Sequence, residues 1–322
     1  AVDCLYLSID ADLQKATYLA LQNEIAAIVY SNIKSGEIPI NDVYTALIGN
    51  SVINTEHFSK AKASDTEKNV LSVFKSRQKT TLGKIKQELT SSPEALNTMS
   101  DEVLDEFTYI ISMLKDDQVL LKNEIDTSDS VYQKWKNQKI SPKEYLSYCI
   151  TQHWIDISQL NVDEKYADST EVYDALCKYI LKNIKTDTEF SKIIYQYMIT
   201  RGEISPRQLC LILFDQGVLD YDDATVNKLK NGSLSPRDFL MKKIYNIEIT
   251  PAQLALEPCT GSCVVTDEKT GEILAMVSYP GYDSNKLANG VDSEYFASLQ
   301  HDKSSPLLNY ATQQKTAPGS TF

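Results

Sequence analysis

The sequence has no apolar run long enough to cross a bilayer, which takes about 20 consecutive apolar residues. Its opening, AVDCLYLSID, lacks the basic flank and apolar centre of a secretory signal, so any membrane anchor is expected outside this chain. Positive charge is also short: 32 Lys and Arg stand against 44 Asp and Glu, for a net charge of −12. The cations are dispersed, which argues against a nucleic-acid partner. Histidine is scarce, and His57, His153 and His301 are isolated from one another. Cys259 and Cys263 stand close together without a second pair, so zinc-ligand spacing is missing. Cys149, Cys177 and Cys210 sit among apolar residues, where a thiol acts as a small hydrophobe, and are expected in the core. Glycine is absent between Gly83 and Gly202, and five of the eleven glycines fall at or after Gly261.

What is present is ordinary globular material: 322 residues, 42% hydrophobic and 24% charged, enough for roughly two domains. The glycine-poor middle reads as helical. Leu104, Phe107, Ile111 and Leu114 step by three and four, and Val172, Leu176, Ile180 and Ile184 step by four, which predicts amphipathic helices. A phrase recurs there: ISPKEY at Ile140, ISPRQL at Ile204, LSPRDF at Leu234 and ITPAQL at Ile249. Each places a hydroxyl at the N-cap, proline in the first turn and a carboxyl or amide residue three positions after the cap, so each predicts a helix start. The intervals between the four are irregular, whereas a solenoid has a fixed period, so recurrent capping is preferred to a repeat array.

The two ends differ from the middle. LYLSID at Leu5 predicts a short strand, after which Asp10 caps a helix whose buried side carries Leu13, Ala16, Ala20, Leu21, Ile25 and Ile28. SCVVTDEKTGEILAMVSYP predicts a hairpin with Gly271 left-handed in its turn and, because both faces are apolar, helices on either side. A strand at Leu5 needs partners, and the other strong strand signals lie beyond Gly261, so head and tail are expected to share one sheet. The predicted class is α+β: residues 1–28 and 258–322 belong to the sheet domain, and 29–257 form an all-α insertion. The final TAPGSTF reads as the approach to another helix, because Pro-Gly sets an entry angle.

LSIDADLQKA at Leu7, VVTDEKTGEILAMVSYPGYDSNKLANG at Val264 and NYATQQKTAPGSTF at Asn309 resemble, in order, blocks of the transpeptidase domain of class B penicillin-binding proteins. The resemblance covers about the first thirty and last sixty residues. It implies an antiparallel sheet of the penicillin-binding and serine β-lactamase type, Ser320 as nucleophile at the start of a central helix, and no metal or organic cofactor. A lysine one helical turn later follows PGSTF in that family and is expected just past Phe322, so the chain as given is expected to be an inactive fragment. The implied activity is D-Ala-D-Ala transpeptidation on peptidoglycan stem peptides at the extracytoplasmic face of a bacterial membrane, with acylation by β-lactams. Three other readings stay open: a serine β-lactamase or β-lactam sensor, a scaffold whose helical insertion docks proteins of wall synthesis or division, and an insertion that is a passive helical domain.

Short motifs also occur by accident. Ser31/Lys34, Ser72/Lys75, Ser76/Lys79 and Ser112/Lys115 satisfy S-x-x-K but lack a preceding Pro-Gly and read as solvated helix faces. Lys269-Thr270-Gly271 spells the family's third motif yet precedes the serine and reads as a turn. Tyr310 stands where the family usually has arginine, and Ser284 replaces a common proline, which puts local loop anchoring in question.

Overall fold

A computed structural model describes residues 7–91, 94–162, 168–288 and 290–315. The chain divides into two compact units, Ala1–Glu67 with Ile204–Phe322, and Lys68–Glu203. The class is α+β: the described residues are mostly helical, with one two-stranded antiparallel sheet. The first unit opens with α1 (Ala11–Ser35), α2 (Ile40–Gly49) and the start of α3 (Asp65–Thr90). The second carries α4 (Asp101–Asp116), α5 (Ser130–Lys136), α6 (Pro142–Thr151), α7 (Ser169–Ile184) and α8 (Thr188–Thr200). The first unit resumes with α9 (Pro206–Asp215), α10 (Asp223–Asn231), α11 (Pro236–Tyr245), α12 (Pro251–Leu254), β1 (Gly261–Thr266), β2 (Ile273–Tyr279), α13 (Ser293–His301) and α14 (Tyr310–Gln313).

All four capping phrases start helices. Ser141, Ser205, Ser235 and Thr250 each accept the backbone N–H three residues on, with proline in the first turn of α6, α9, α11 and α12. At Ser205 and Thr250 the capping box closes, because Gln208 and Gln253 reach back to the cap backbone. The apolar rows also face inward: Phe107, Ile111 and Leu114 are buried in α4, and Val172, Leu176, Ile180 and Ile184 in α7. Cys149, Cys177 and Cys210 are free thiols in the core.

The capping phrases are irregularly spaced, but a regular interval appears at the other end of the helices. Gly202, Gly217, Gly232 and Ile247, fifteen residues apart, all have positive φ, as do Gly36 and Ser51, and Gln138 and His153, at the same interval. Each ends a helix in a left-handed residue that closes a Schellman-type turn. The next N–H commonly bonds five residues back, as Glu203 to Met198, Val218 to Leu213 and Glu248 to Lys243. An apolar residue two positions after the left-handed one drops into the core, among them Ile53, Ile155, Ile204, Leu219 and Ile249. The period is hidden from the N-caps because α10 starts at Asp222 with no proline, out of register with the seryl and threonyl caps.

The buried side of α1 is also corrected. Ala16, Ala20 and Ile28 are exposed, and the inward row is Gln14, Tyr18, Leu21, Ile25, Val29 and Ile33. Two polar residues occupy the face because the hairpin supplies partners for them, as described below.

The second unit buries charge. Glu102 takes Arg77 Nη2 at 2.8 and 2.9 Å on its two oxygens and Arg201 Nη2 at 2.6 Å. One helical turn on, Glu106 is 2% exposed and its Oε1 has no hydrogen-bond partner. Burial, and then the adjacent Glu102 carboxylate, push its carboxyl up from 4.5 to about 8, against the pull of Arg77 and Lys84. A carboxyl whose folded value is raised binds its proton more tightly in the native state. Its stabilising contribution is therefore complete below 4.5 and is lost as pH rises towards 8. Glu106→Gln is expected to flatten the fall in stability across that window, measured by urea unfolding at stepped pH.

The turns make a second prediction. Around Gly217 there is open space for a methyl group, so Gly217→Ala isolates the backbone cost of the left-handed conformation. It is expected to destabilise by about 1 kcal/mol, whereas Gln118→Gly, at an exposed site with φ 59°, is expected to stabilise by a similar amount in denaturant titrations.

Candidate functional site

The hairpin is closed by its aspartate. Asp267 accepts the N–H groups of Lys269 and Thr270, both at 2.8 Å, and Gly271 at φ 75° turns the chain back. Those turn hydrogen bonds hold the Asp267 carboxyl below its ordinary value. The Lys269-Thr270-Gly271 triplet is thus a turn. The four S-x-x-K serines Ser31, Ser72, Ser76 and Ser112 are exposed on helices α1, α3 and α4.

Register pairs Gly261 with Tyr279, Cys263 with Val277 and Val264 with Met276. Ala275, Val277 and Tyr279 are buried under α1, where the Tyr18 and Tyr279 rings lie 5.7 Å apart. Packing is tight there: a Cβ on Gly261 would stand 3.1 Å from Ile25 Cδ1, and one on Gly281 3.3 Å from Tyr18 Cε2, so either would make its neighbour shift by a few tenths of an ångström. Helical cover of both faces does not hold for β1. Ser262, Val264 and Thr266 are exposed, Val264 at 45%, since α1 takes only one face and α14 approaches the sheet near Ser278.

The outer edge of β2 is occupied from the head of the chain. Ser8 Oγ donates to the Ile273 carbonyl at 2.7 Å and Asp10 N–H to that of Leu274 at 2.9 Å. Gln14 then donates its amide nitrogen to the Met276 carbonyl at 2.7 Å and accepts the Met276 N–H at 2.8 Å. Head and tail are therefore joined at one sheet edge. Residues 7–10 form no strand of their own, and Leu5 and Tyr6, the start of the expected strand, lie outside the described residues.

Beside this junction lies a cleft of about 430 Å³ floored by Val277 and Ser278 and walled by Gln14, Tyr18, Tyr282 and Tyr295. Its rim is built from the loop after β2. Asp283 caps the turn at Asn285, its own N–H donates to the Tyr295 hydroxyl at 2.8 Å, and Lys286 Nζ sits 4.6 Å from the centre of the Tyr295 ring. Ser284 opens that turn in place of proline. Ser278 Oγ lies 3.2 Å from Asn309 Oδ1 and accepts the Ala311 N–H at 3.2 Å, which fastens α14 to β2. Tyr310 is 8% exposed and donates its hydroxyl to the Ser304 carbonyl at 2.8 Å, so the residue in the usual arginine position anchors the loop from inside. Ser320, the predicted nucleophile, lies outside the described residues, as does the rest of the TAPGSTF stretch from Thr316. Sequence pattern alone does not mark Gln14, Tyr18 and Ser278 as site residues; the one signal is the i, i+4 placement of Gln14 and Tyr18 on a helix following a short strand pattern.

Among the described residues no cluster of three or more His, Cys, Asp and Glu side chains could hold a metal ion, and no helix is long and apolar enough to cross a membrane.

The family model of the penicillin binding protein transpeptidase domain matches residues 261–322. The match covers about a fifth of the chain. Among curated proteins, the peptidoglycan D,D-transpeptidase PbpA of Mycolicibacterium smegmatis is 47% identical over 68 residues, 20% of this chain and 14% of that protein. The peptidoglycan D,D-transpeptidase MrdA of Escherichia coli K12 is 47% identical over 58 residues, 18% of this chain and 9% of that protein. MrdA of Acinetobacter baumannii is 34% identical over 85 residues, 26% of this chain and 12% of that protein. The chain thus spans between 9% and 14% of the length of these relatives. No solved structure matches it. The matched segment contains the hairpin, the cleft floor, α13, α14 and Ser320, while Gln14 and Tyr18 come to the cleft from the opposite end of the sequence.

Gln14→Leu keeps the bulk but leaves the N–H and C=O of Met276 without partners. It is expected to cost about 2 kcal/mol, read by chemical denaturation, with faster amide exchange at Met276. Unchanged exchange at Met276 would remove Gln14 from the role given to it.

Proposed function

We propose that this chain forms part of a peptidoglycan D,D-transpeptidase and that Ser320 is the nucleophile. The observation that carries the reading is sequential: within the matched segment 261–322, Ser320 directly follows Pro318-Gly319, and it is the one serine in the chain that follows Pro-Gly. A serine at a helix start meets unpaired N–H groups and the positive end of the helix dipole, which stabilise negative charge developing on a nearby carbonyl oxygen.

In the proposed reaction, Ser320 Oγ attacks the carbonyl carbon between the two terminal D-alanines of a stem peptide. A base takes the hydroxyl proton, the C–N bond breaks, and D-alanine leaves as the protonated amine. An amine from a neighbouring strand then attacks the ester, forms the cross-link and returns the hydroxyl to Ser320. A β-lactam follows the first half of this path: its ring amide opens and the acyl group stays on Ser320. No metal or organic cofactor enters either sequence. The substrate places the reaction at the extracytoplasmic face of the membrane.

The test is labelling by a fluorescent penicillin in a polypeptide that runs on past Phe322 through the remainder of the domain. Ser320→Ala is expected to abolish the label and lower D-alanine release by about 10³-fold or more, whereas Ser31→Ala and Ser76→Ala retain both. Label persisting on the Ser320→Ala protein would exclude this serine.

A further inference from the structure

In the second unit, α4, α5 and the turn at Leu96–Thr98 border an open surface cleft of about 340 Å³ at whose edge stands Trp135. One face of the indole is committed, stacked on Tyr145 with ring centroids 4.5 Å apart and planes 5° from parallel. The ring is half-buried, and its N–H donates to no described group. Ser112 and Lys115 on α4, and Lys136 and Gln138 at the end of α5, line the same cleft, and none of these four side chains is hydrogen-bonded or ion-paired among the described residues. Ile111 supplies an apolar floor.

Charge makes the place unusual. The chain carries twelve more acids than bases, yet two lysines and no carboxylate line this cleft. A lysine in the last turn of a helix is accounted for by the helix dipole alone. The dipole does not require two helix ends to open on one tryptophan, nor to leave the hydroxyl, amide and indole donors around them unused. An aromatic ring beside several unspent polar side chains suits a pyranose, whose C–H face lies on the ring while its hydroxyls take the donors. The lysines suit a carboxylate on that sugar.

We propose that this cleft binds an acidic saccharide, a pyranose unit bearing a carboxylate. The site belongs to the second unit and is independent of Ser320 and of acyl transfer. Trp154, the other tryptophan, is 5% exposed and packed edge-on against Tyr148, so a change in intrinsic fluorescence reports on Trp135.

The whole chain is titrated with a disaccharide of N-acetylglucosamine and N-acetylmuramic acid and, in parallel, with the neutral N-acetylglucosamine dimer. The acidic sugar is expected to shift Trp135 emission and to bind about tenfold more tightly than the neutral one. Lys115→Ala combined with Lys136→Ala, both surface changes, is expected to erase that preference while leaving neutral-sugar binding in place. Ser112→Ala is expected to weaken both ligands. Absence of any shift with either sugar at millimolar concentration overturns the proposal, and so does an acidic preference that survives loss of both lysines. Trp135→Phe keeps the stack on Tyr145, and unaltered binding by that variant, followed calorimetrically, overturns it as well.

Discussion

Gln14 reaches across 262 positions of sequence to Met276 and uses both ends of its amide there. A two-stranded hairpin is marginal in water, and an unpaired strand edge invites association, so the outer edge of β2 has to be satisfied by something. Here a side-chain amide replaces the backbone of a third strand, helped by the Asp10 N–H and the Ser8 hydroxyl just before it. The bond does more than close an edge. With Gln14 turned to the sheet, the three-and-four spacing of a helix carries Tyr18, Leu21 and Ile25 onto the same face. Those side chains then press on Gly261, Tyr279 and Gly281. The rotation of α1, the bareness of two glycines and the position of the cleft wall are one constraint expressed three times.

The hairpin is consequently asymmetric. Its α1 face is closed, while Ser262, Val264 and Thr266 stay open on β1 and the end near Ser278 is tied to α14. Residues matched to the transpeptidase family are thus held against α1 by hydrogen bonds to the β2 main chain and by close packing on two glycines rather than by a charged network. Buried ion pairs occur instead in the second unit, around Glu102, where each carboxylate oxygen has an arginine. Removing one partner from such a group is costly because the other charge is left behind in a poor solvent. Glu106, with no arginine of its own, meets the same burial by holding its proton up to about pH 8. Two buried carboxyl groups one helical turn apart thus differ in their partners: two arginines at Glu102, and none on Oε1 of Glu106.

Repeated helix endings are the second organising device. Ten left-handed residues close helices at Gly36, Ser51, Gln118, Gln138, His153, Gly202, Gly217, Gly232, Ile247 and Ala255 among the described residues. Only four are glycine, and each of the others stores backbone strain, greatest for a β-branched residue such as Ile247. The strain persists because the same turn satisfies otherwise orphaned helix carbonyls and delivers an apolar residue to the core two positions later. Local cost and tertiary gain are bound together by two residues of chain.

That coupling explains what the sequence discloses and what it hides. An N-cap works through a side-chain oxygen, so Ser141, Ser205, Ser235 and Thr250 announce four helix starts in a legible chemistry, and the hairpin announces itself through alternation and Gly271. A left-handed C-terminal turn works through the backbone, and its one residue marker is glycine. Six of the ten positions lack it, which conceals a fifteen-residue interval that the conformation keeps at most of them. The inward side of α1 is hidden for a related reason. Hydrophobic periodicity assigns Gln14 to solvent and Ala16, Ala20 and Ile28 to the core, because a period counts apolar atoms and is blind to a strand edge 262 residues away that needs a donor and an acceptor. Family likeness works the other way: it singles out Ser320 through Pro-Gly spacing while carrying no information about which distant helix braces the hairpin. Local side-chain chemistry is readable one segment at a time, whereas backbone strain and a bond between distant segments become visible only when the partners are seen together.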